Sequence, residues 1–100
     1  MLTVIATLKV KADKTAAFED EARKMIAHVE ANEPGTKTYV CHRSTADPTV
    51  YVFYEIYADQ AAFAQHGGSA AMQAFFGAMR GIADGRPEIA MYEEIAAVRR

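Results

Sequence analysis

The sequence has no tryptophan, one cysteine and three prolines among its 100 residues. Each scarcity excludes something. A lone thiol, Cys41, cannot close an internal disulfide and has no partners for a zinc site. A reducing, cytoplasmic compartment is the expectation that follows. An excess of positive charge is also missing. The 11 Lys and Arg stand against 13 Asp and Glu, a formal net charge of −2, and no basic block argues for a nucleic-acid surface. No apolar run approaches the span of a bilayer, so no integral membrane protein is expected. The opening MLTVIATLKV lacks the basic lead and long apolar stretch of a signal peptide and reads as a strand. Gly67-Gly68 lack the G-x-G-x-x-G context of a phosphate loop, and His28, His42 and His66 do not stand at metal-ligand spacing. No Ser-His-acid pattern is legible.

What is present is ordinary globular material, 51% hydrophobic and 24% charged, which rules out a disordered chain. A chain of this length is expected to form one domain, residues 1–100, burying roughly 65% of its unfolded surface. Residues 2–11 alternate, with Leu2, Val4, Ala6, Leu8 and Val10 on one face and Thr3, Ile5, Thr7 and Lys9 on the other; that is a strand. Asp13 is placed to cap a helix reaching about Ala31, with Phe18, Ala22, Met25, Ile26 and Val29 on one stripe. Pro34-Gly35 stops it. A second strand is expected at 37–44, a turn at Asp47-Pro48, and a third strand from Val50 to Tyr57. Asp59 caps a short helix to His66, Gly67-Gly68 break it, and Ser69 caps a longer one through about Arg80. Its stripe is Met72, Phe75, Phe76 and Met79. A loop at 84–87 precedes a fourth strand, Glu88 to Val98.

Strand, helix, strand, strand, helix, strand is the order of a ferredoxin-like, split βαβ α+β fold: an antiparallel sheet with its helices on one side. One sheet face should then be polar. Here both are apolar: Val50, Val52, Tyr54 and Ile56 alternate with Tyr51, Phe53, Glu55 and Tyr57. An apolar face this large is seldom left wet on a monomer. A homodimer, sheet against sheet about a two-fold axis, is the economical solution.

The order of elements, the opening MLTVIA and the stretch from Asn32 to His66 resemble the antibiotic biosynthesis monooxygenase family of dimeric α/β barrels. The shared features are Glu33-Pro34-Gly35 ahead of a strand with Tyr39, a Pro48 turn, Glu55 ending an apolar strand, and Ala62-Phe63 followed by His66. The resemblance covers nearly the whole chain. Its haem-degrading members use an Asn on the first strand, a Trp on the short helix and a His on the next. The matching positions here hold Thr7, His66 and Phe76, and a phenylalanine cannot bind iron. The better match is to the small quinol- or anthrone-oxidising members, which the resemblance implies work on an aromatic substrate and dioxygen without metal, flavin or haem.

His66 is the first site candidate, as a base. It lies three residues after Phe63, on the same helix face, and ends a short helix whose dipole favours a protonated ring. A partly buried histidine that caps the broken helix is the competing reading. Tyr51, Phe53, Phe63, Met72, Phe75, Phe76 and Met79 are candidate walls of a substrate cavity, although a helical stripe is core first. Thr7 joins them through the resemblance alone. Glu55, among aromatics, is either paired at the dimer seam, with Arg43 or Arg86 as partner, or a functional acid/base; the seam is the preferred reading. His28 lies off its helix's stripe and should be solvated, His42 should face a cross-strand partner, and Cys41 should be a small core residue. The expected function is a cofactor-independent monooxygenase. An isomerase or small-signal-degrading enzyme on the same scaffold, or a non-catalytic ligand-binding dimer, is the alternative.

Overall fold

A computed structural model describes residues 1–100. Four strands, β1 (Leu2–Lys9), β2 (Thr36–Arg43), β3 (Val50–Tyr57) and β4 (Glu88–Glu93), and three helices, α1 (Thr15–Asn32), α2 (Gln60–Gly67) and α3 (Ala70–Met79), follow in the expected order. The sheet is antiparallel throughout, in the order β2-β3-β1-β4. This is the ferredoxin-like α+β arrangement, with the chain's first strand buried in the middle of the sheet.

Alternation decides what each face does. Val4, Ala6 and Leu8 of β1 and Tyr51, Phe53, Glu55 and Tyr57 of β3 are buried under the helices. The helices supply matching stripes: Phe18, Ala22, Met25 and Val29 from α1, and Met72, Phe75 and Met79 from α3. Phe18 is fully buried at the centre, its ring 4.4 Å from that of Tyr51 and 6.2 Å from that of Phe75. The other face carries Thr3, Ile5, Thr7, Val40, Val52, Tyr54 and Tyr92, which pair with one another across the strands. No helix covers it.

Helix boundaries follow local chemistry. The Asp59 carboxylate accepts the Ala62 amide at 2.9 Å, and the Ser69 hydroxyl accepts the Met72 amide at 3.1 Å; both are N-caps. Asp13 is not one. It lies in a 3-10 turn, Ala12–Lys14, tightened by a Lys14 to Lys11 backbone bond, and α1 starts at Thr15 without a side-chain cap. The fourth strand also ends earlier than expected, at Glu93 rather than Val98. Glu93 pairs with Leu2, where β1 begins. Beyond it no strand remains to take the ladder, and residues 94–100 run irregularly past Thr3, Tyr54 and Ile56 on the uncovered face.

No helix is long and apolar enough to cross a membrane.

Candidate active site

The turn after α1 places the first functional group. Pro34 cannot continue the helix, so Glu33 becomes its C-terminal cap, its amide bonded to Val29 O at 3.0 Å. Gly35 then passes so close to α2 that a Cβ there would lie 2.7 Å from the Ala62 Cβ. That approach brings the Glu33 side chain under α2, at the turn that carries His66. Both are buried, Glu33 at 4% exposure and His66 at 3%. His66 Nδ1 donates to Glu33 Oε1 at 2.8 Å, and the Thr36 hydroxyl donates to the same oxygen at 3.1 Å. The remaining oxygen, Oε2, lies 2.9 Å from His28 Nε2. His66 is held from behind as well, because the Ser69 hydroxyl donates to its carbonyl at 2.9 Å.

His66 forms part of the wall of a cavity of about 190 Å³ between the sheet and helices α2 and α3. The sheet contributes Val4, Ala6 and Leu8, then Tyr39, Phe53 and Glu55; the helices contribute Phe63, Met72, Phe75 and Phe76. The Tyr39 ring stands 4.9 Å and the Tyr57 ring 5.6 Å from the imidazole. Phe76 and Ile89, 49% and 54% exposed, form its outer lip with Pro87. Nδ1 is committed to the carboxylate, while Nε2 has no protein partner and is not sealed away. In the neutral ring, with the Nδ1 hydrogen directed at a carboxylate, Nε2 carries the lone pair.

Glu55 is the second ionisable group in this wall. Its Oε1 accepts the Tyr57 hydroxyl at 2.5 Å. Burial pushes the carboxyl up to about 7; the Tyr57 bond opposes that rise and the Glu33 charge adds to it. Burial and the two carboxylates drive the Tyr39 phenol above its ordinary range, and burial with Glu55 does the same to Tyr57. Both phenols therefore remain protonated donors. Burial raises the Cys41 thiol to about 11, so it too stays protonated.

The structure gathers His66, Phe53, Phe63, Met72, Phe75 and Phe76 around one space, and leaves three candidates outside it. Thr7 points to the uncovered face. A strand alternates sides at each residue, so its neighbours Ala6 and Leu8 meet the cavity instead. Tyr51 is spent elsewhere: its hydroxyl donates to Glu19 Oε2 at 2.6 Å, the oxygen that the Arg43 Nη2 also reaches at 2.7 Å. That trio edges a more open hollow of about 260 Å³ beside α1, where Arg23 and Arg43 both pair with the Glu19 carboxylate. Met79 belongs to the core with Phe18 and Ile82.

Two further expectations are corrected. Glu55 does not sit at the open seam; its parity with Phe53 turns it under the helices, and Arg43 pairs with Glu19. His28 is not simply solvated, since the last turn of α1 carries it to the buried Glu33 carboxylate. Residue type and strand parity offered a signal for Glu55. For the meeting of His28, Glu33 and His66 the chain offered none beyond the Pro-Gly stop. These three groups face one another rather than a common point, and no trio of His, Cys, Asp or Glu is arranged to hold a metal ion.

A four-stranded antiparallel sheet with helices on one side and an apolar, histidine-edged cavity between the layers defines a ferredoxin-like α+β protein. The chain belongs to the antibiotic biosynthesis monooxygenase family, whose sequence model matches residues 1–78. The structure of a Caulobacter crescentus protein provisionally named an antibiotic biosynthesis monooxygenase is similar at 37% identity and a TM-score of 0.91, covering 95% of this chain and 90% of that one. A Nitrosomonas europaea protein of the same provisional name is 26% identical, with a TM-score of 0.89 and coverage of 94% and 89%. A Mycobacterium tuberculosis protein shares the fold at a TM-score of 0.88 with 18% identity, over 98% of each chain. No curated protein matches the sequence significantly.

Proposed function

We propose that this protein is a cofactor-independent monooxygenase that oxidises a small quinol- or anthrone-type aromatic with dioxygen, and that His66 is its base. The observation that carries this reading is the His66 ring. It is a buried imidazole on an apolar cavity, with one nitrogen fixed on a carboxylate and the other free. Family membership supports the reaction class. The size supports the ligand class, since apolar cavities of roughly 150 Å³ already bind benzene. One or two fused rings suit this space better than three, which would need the Phe76 lip to move.

Dioxygen is a triplet and reacts slowly with closed-shell molecules, but an aromatic oxyanion is electron-rich enough to reduce it. In this reading His66 Nε2 removes the proton of a phenol or of an enolised anthrone. The anion gives one electron to dioxygen, and the resulting radical and superoxide combine through a new C–O bond. The imidazolium returns its proton to the peroxide. In an anthrone the same carbon then loses its remaining hydrogen as the O–O bond breaks, leaving a ketone and one water. Phe53, Phe63, Met72, Phe75 and Phe76 act as walls that orient the ring and exclude water.

Dioxygen uptake with a panel of quinols and anthrones in metal-free buffer tests this. The expected result is substrate-dependent uptake above the spontaneous rate, with oxygen from ¹⁸O₂ in the product. Uptake no faster than the protein-free control across the panel overturns it. Glu55 favours a second reading. A cavity that holds an imidazole and a carboxyl raised to about 7 also suits an isomerase or a degrader of a small ketone, and product formed without dioxygen would select that enzyme.

We further infer a homodimer in a reducing, cytoplasmic compartment, the latter supported only by the single thiol. The dimer is supported by the uncovered face, where Val52 lies between Thr7 and His42, half-exposed Val40 and Tyr54 flank it, and half-exposed Tyr92 extends the apolar surface on β4. Light scattering at micromolar concentration should report twice the chain mass of 11.0 kDa. Val52→Lys, which buries a charge at the centre of the seam, should report the single mass. A wild-type monomer would remove the inference.

A further inference from the structure

We propose that Glu33 is the positioning residue for His66 and that His28 anchors Glu33, so that the base is the inner member of a His28–Glu33–His66 triad. The proposal rests on His66 being the base. A buried carboxylate is costly unless its oxygens are served; here one oxygen is hydrogen-bonded to one imidazole and the other lies against a second, which a small turn of either ring would bring into line. Oε1 takes the His66 Nδ1 hydrogen at 2.8 Å and the Thr36 hydroxyl at 3.1 Å. Oε2 is buried without a well-aligned hydrogen bond, and His28 Nε2 stands beside it at 2.9 Å. The Asn32 amide nitrogen, 3.3 Å from His28 Nδ1 and bonded to the His28 carbonyl at 3.1 Å, donates toward Nδ1. In the neutral ring the His28 hydrogen therefore sits on Nε2, beside the carboxylate oxygen but not aligned on it.

Three consequences follow. Glu33 selects the Nδ1–H form of His66, leaving the Nε2 lone pair for the substrate. When Nε2 takes a proton, the new positive charge faces a carboxylate in a water-poor setting, where attraction is stronger than in water. His28, with a side chain 27% exposed, packs its Nε2 against the second oxygen and limits how far the carboxylate can turn. The other ionisable groups facing the ring are Tyr39 from β2 and Tyr57 and Glu55 from β3, and none of them hydrogen-bonds to it. Glu33 alone sets its tautomer.

A merely structural staple between α1 and α2 would leave the His66 tautomer and the split between kcat and KM unmoved. The test is ¹⁵N NMR of the His66 ring together with turnover of a quinol. Glu33→Gln keeps an oxygen that accepts from Nδ1 but loses the charge. It should preserve the Nδ1–H tautomer and lower kcat about 10–100-fold, by analogy with loss of the carboxylate that orients a metal-bound histidine, with KM little changed. Glu33→Ala should move the hydrogen to Nε2 and lower kcat further. His28→Ala should lower kcat several-fold, and His28→Gln, whose amide can still donate to Oε2, should recover part of it. If Glu33→Ala does not fold, Glu33→Gln and His28→Ala carry the test. An unchanged tautomer in Glu33→Ala, or wild-type kcat in both Glu33→Gln and His28→Ala, overturns the triad. Wild-type turnover in His66→Ala would instead overturn the base assignment, whichever tautomer NMR reports.

Discussion

Replacing His66 with alanine is expected to lower turnover of the quinol or anthrone substrate by about 10²–10⁴-fold, the range over which positioned proton transfer contributes to catalysis. KM should change much less, because Phe53, Phe63, Met72 and Phe75 still shape the cavity. The substitution also leaves Glu33 Oε1 with only the Thr36 hydroxyl. A buried acceptor that loses a partner costs about 1–3 kcal/mol, so a lower melting temperature should accompany the lost activity. His66→Asn separates the two effects, since its amide can donate toward Glu33 but cannot serve as the base. It should fold more stably than His66→Ala and be equally inactive. Dioxygen uptake on the purified variants measures the first effect and thermal melting the second. Equal rates for wild type and His66→Ala would reject His66 as the base.

The second large effect concerns stability and pH at Glu55. The folded chain holds this carboxyl at about 7, against 4.5 for an ordinary one, because burial disfavours its charge. Between those values the folded state keeps a proton that the unfolded chain has released. Stability must therefore fall as pH rises from about 4.5 to about 7, and level off above. The full span is on the order of 3 kcal/mol. Glu55→Gln removes the ionisation while its amide oxygen still accepts the Tyr57 hydroxyl. The variant should lose this fall and be more stable than wild type at pH 8, with little difference at pH 4. Urea denaturation at both pH values reads the change. An unchanged slope in Glu55→Gln would mean that Glu55 is not the titrating group.

The two predictions concern residues that the sequence exposes to different degrees. His66 was legible as a candidate, because a histidine one turn from Phe63 at a Gly-Gly break shares that helix's inner face. Its partner was not. Glu33 stands 33 positions earlier in the chain, and nothing local requires a carboxylate at a helix end to enter the core. Likewise His28 reads as surface from the α1 stripe, and only the packing of α2 over the Pro34-Gly35 turn gives it a buried partner. Thr7 shows how narrow the margin is on a strand, where one position reverses the face. Tyr51 shows a different failure: it does lie under the helices, but its hydroxyl is engaged by Glu19 away from the cavity.

The sequence by itself determined the elements and their order, because strand alternation, helical stripes, the Asp59 and Ser69 caps and the Pro34 stop all act over a few residues. It also determined that both sheet faces are apolar. The tertiary structure alone decided which face the helices cover, that β4 stops where β1 begins, and that Glu55 lies in the cavity wall. It alone brought the two imidazoles to one buried carboxylate. Those outcomes depend on contacts between segments distant in the chain, whose free energy comes from burying whole surfaces together and leaves no periodicity in any one of them.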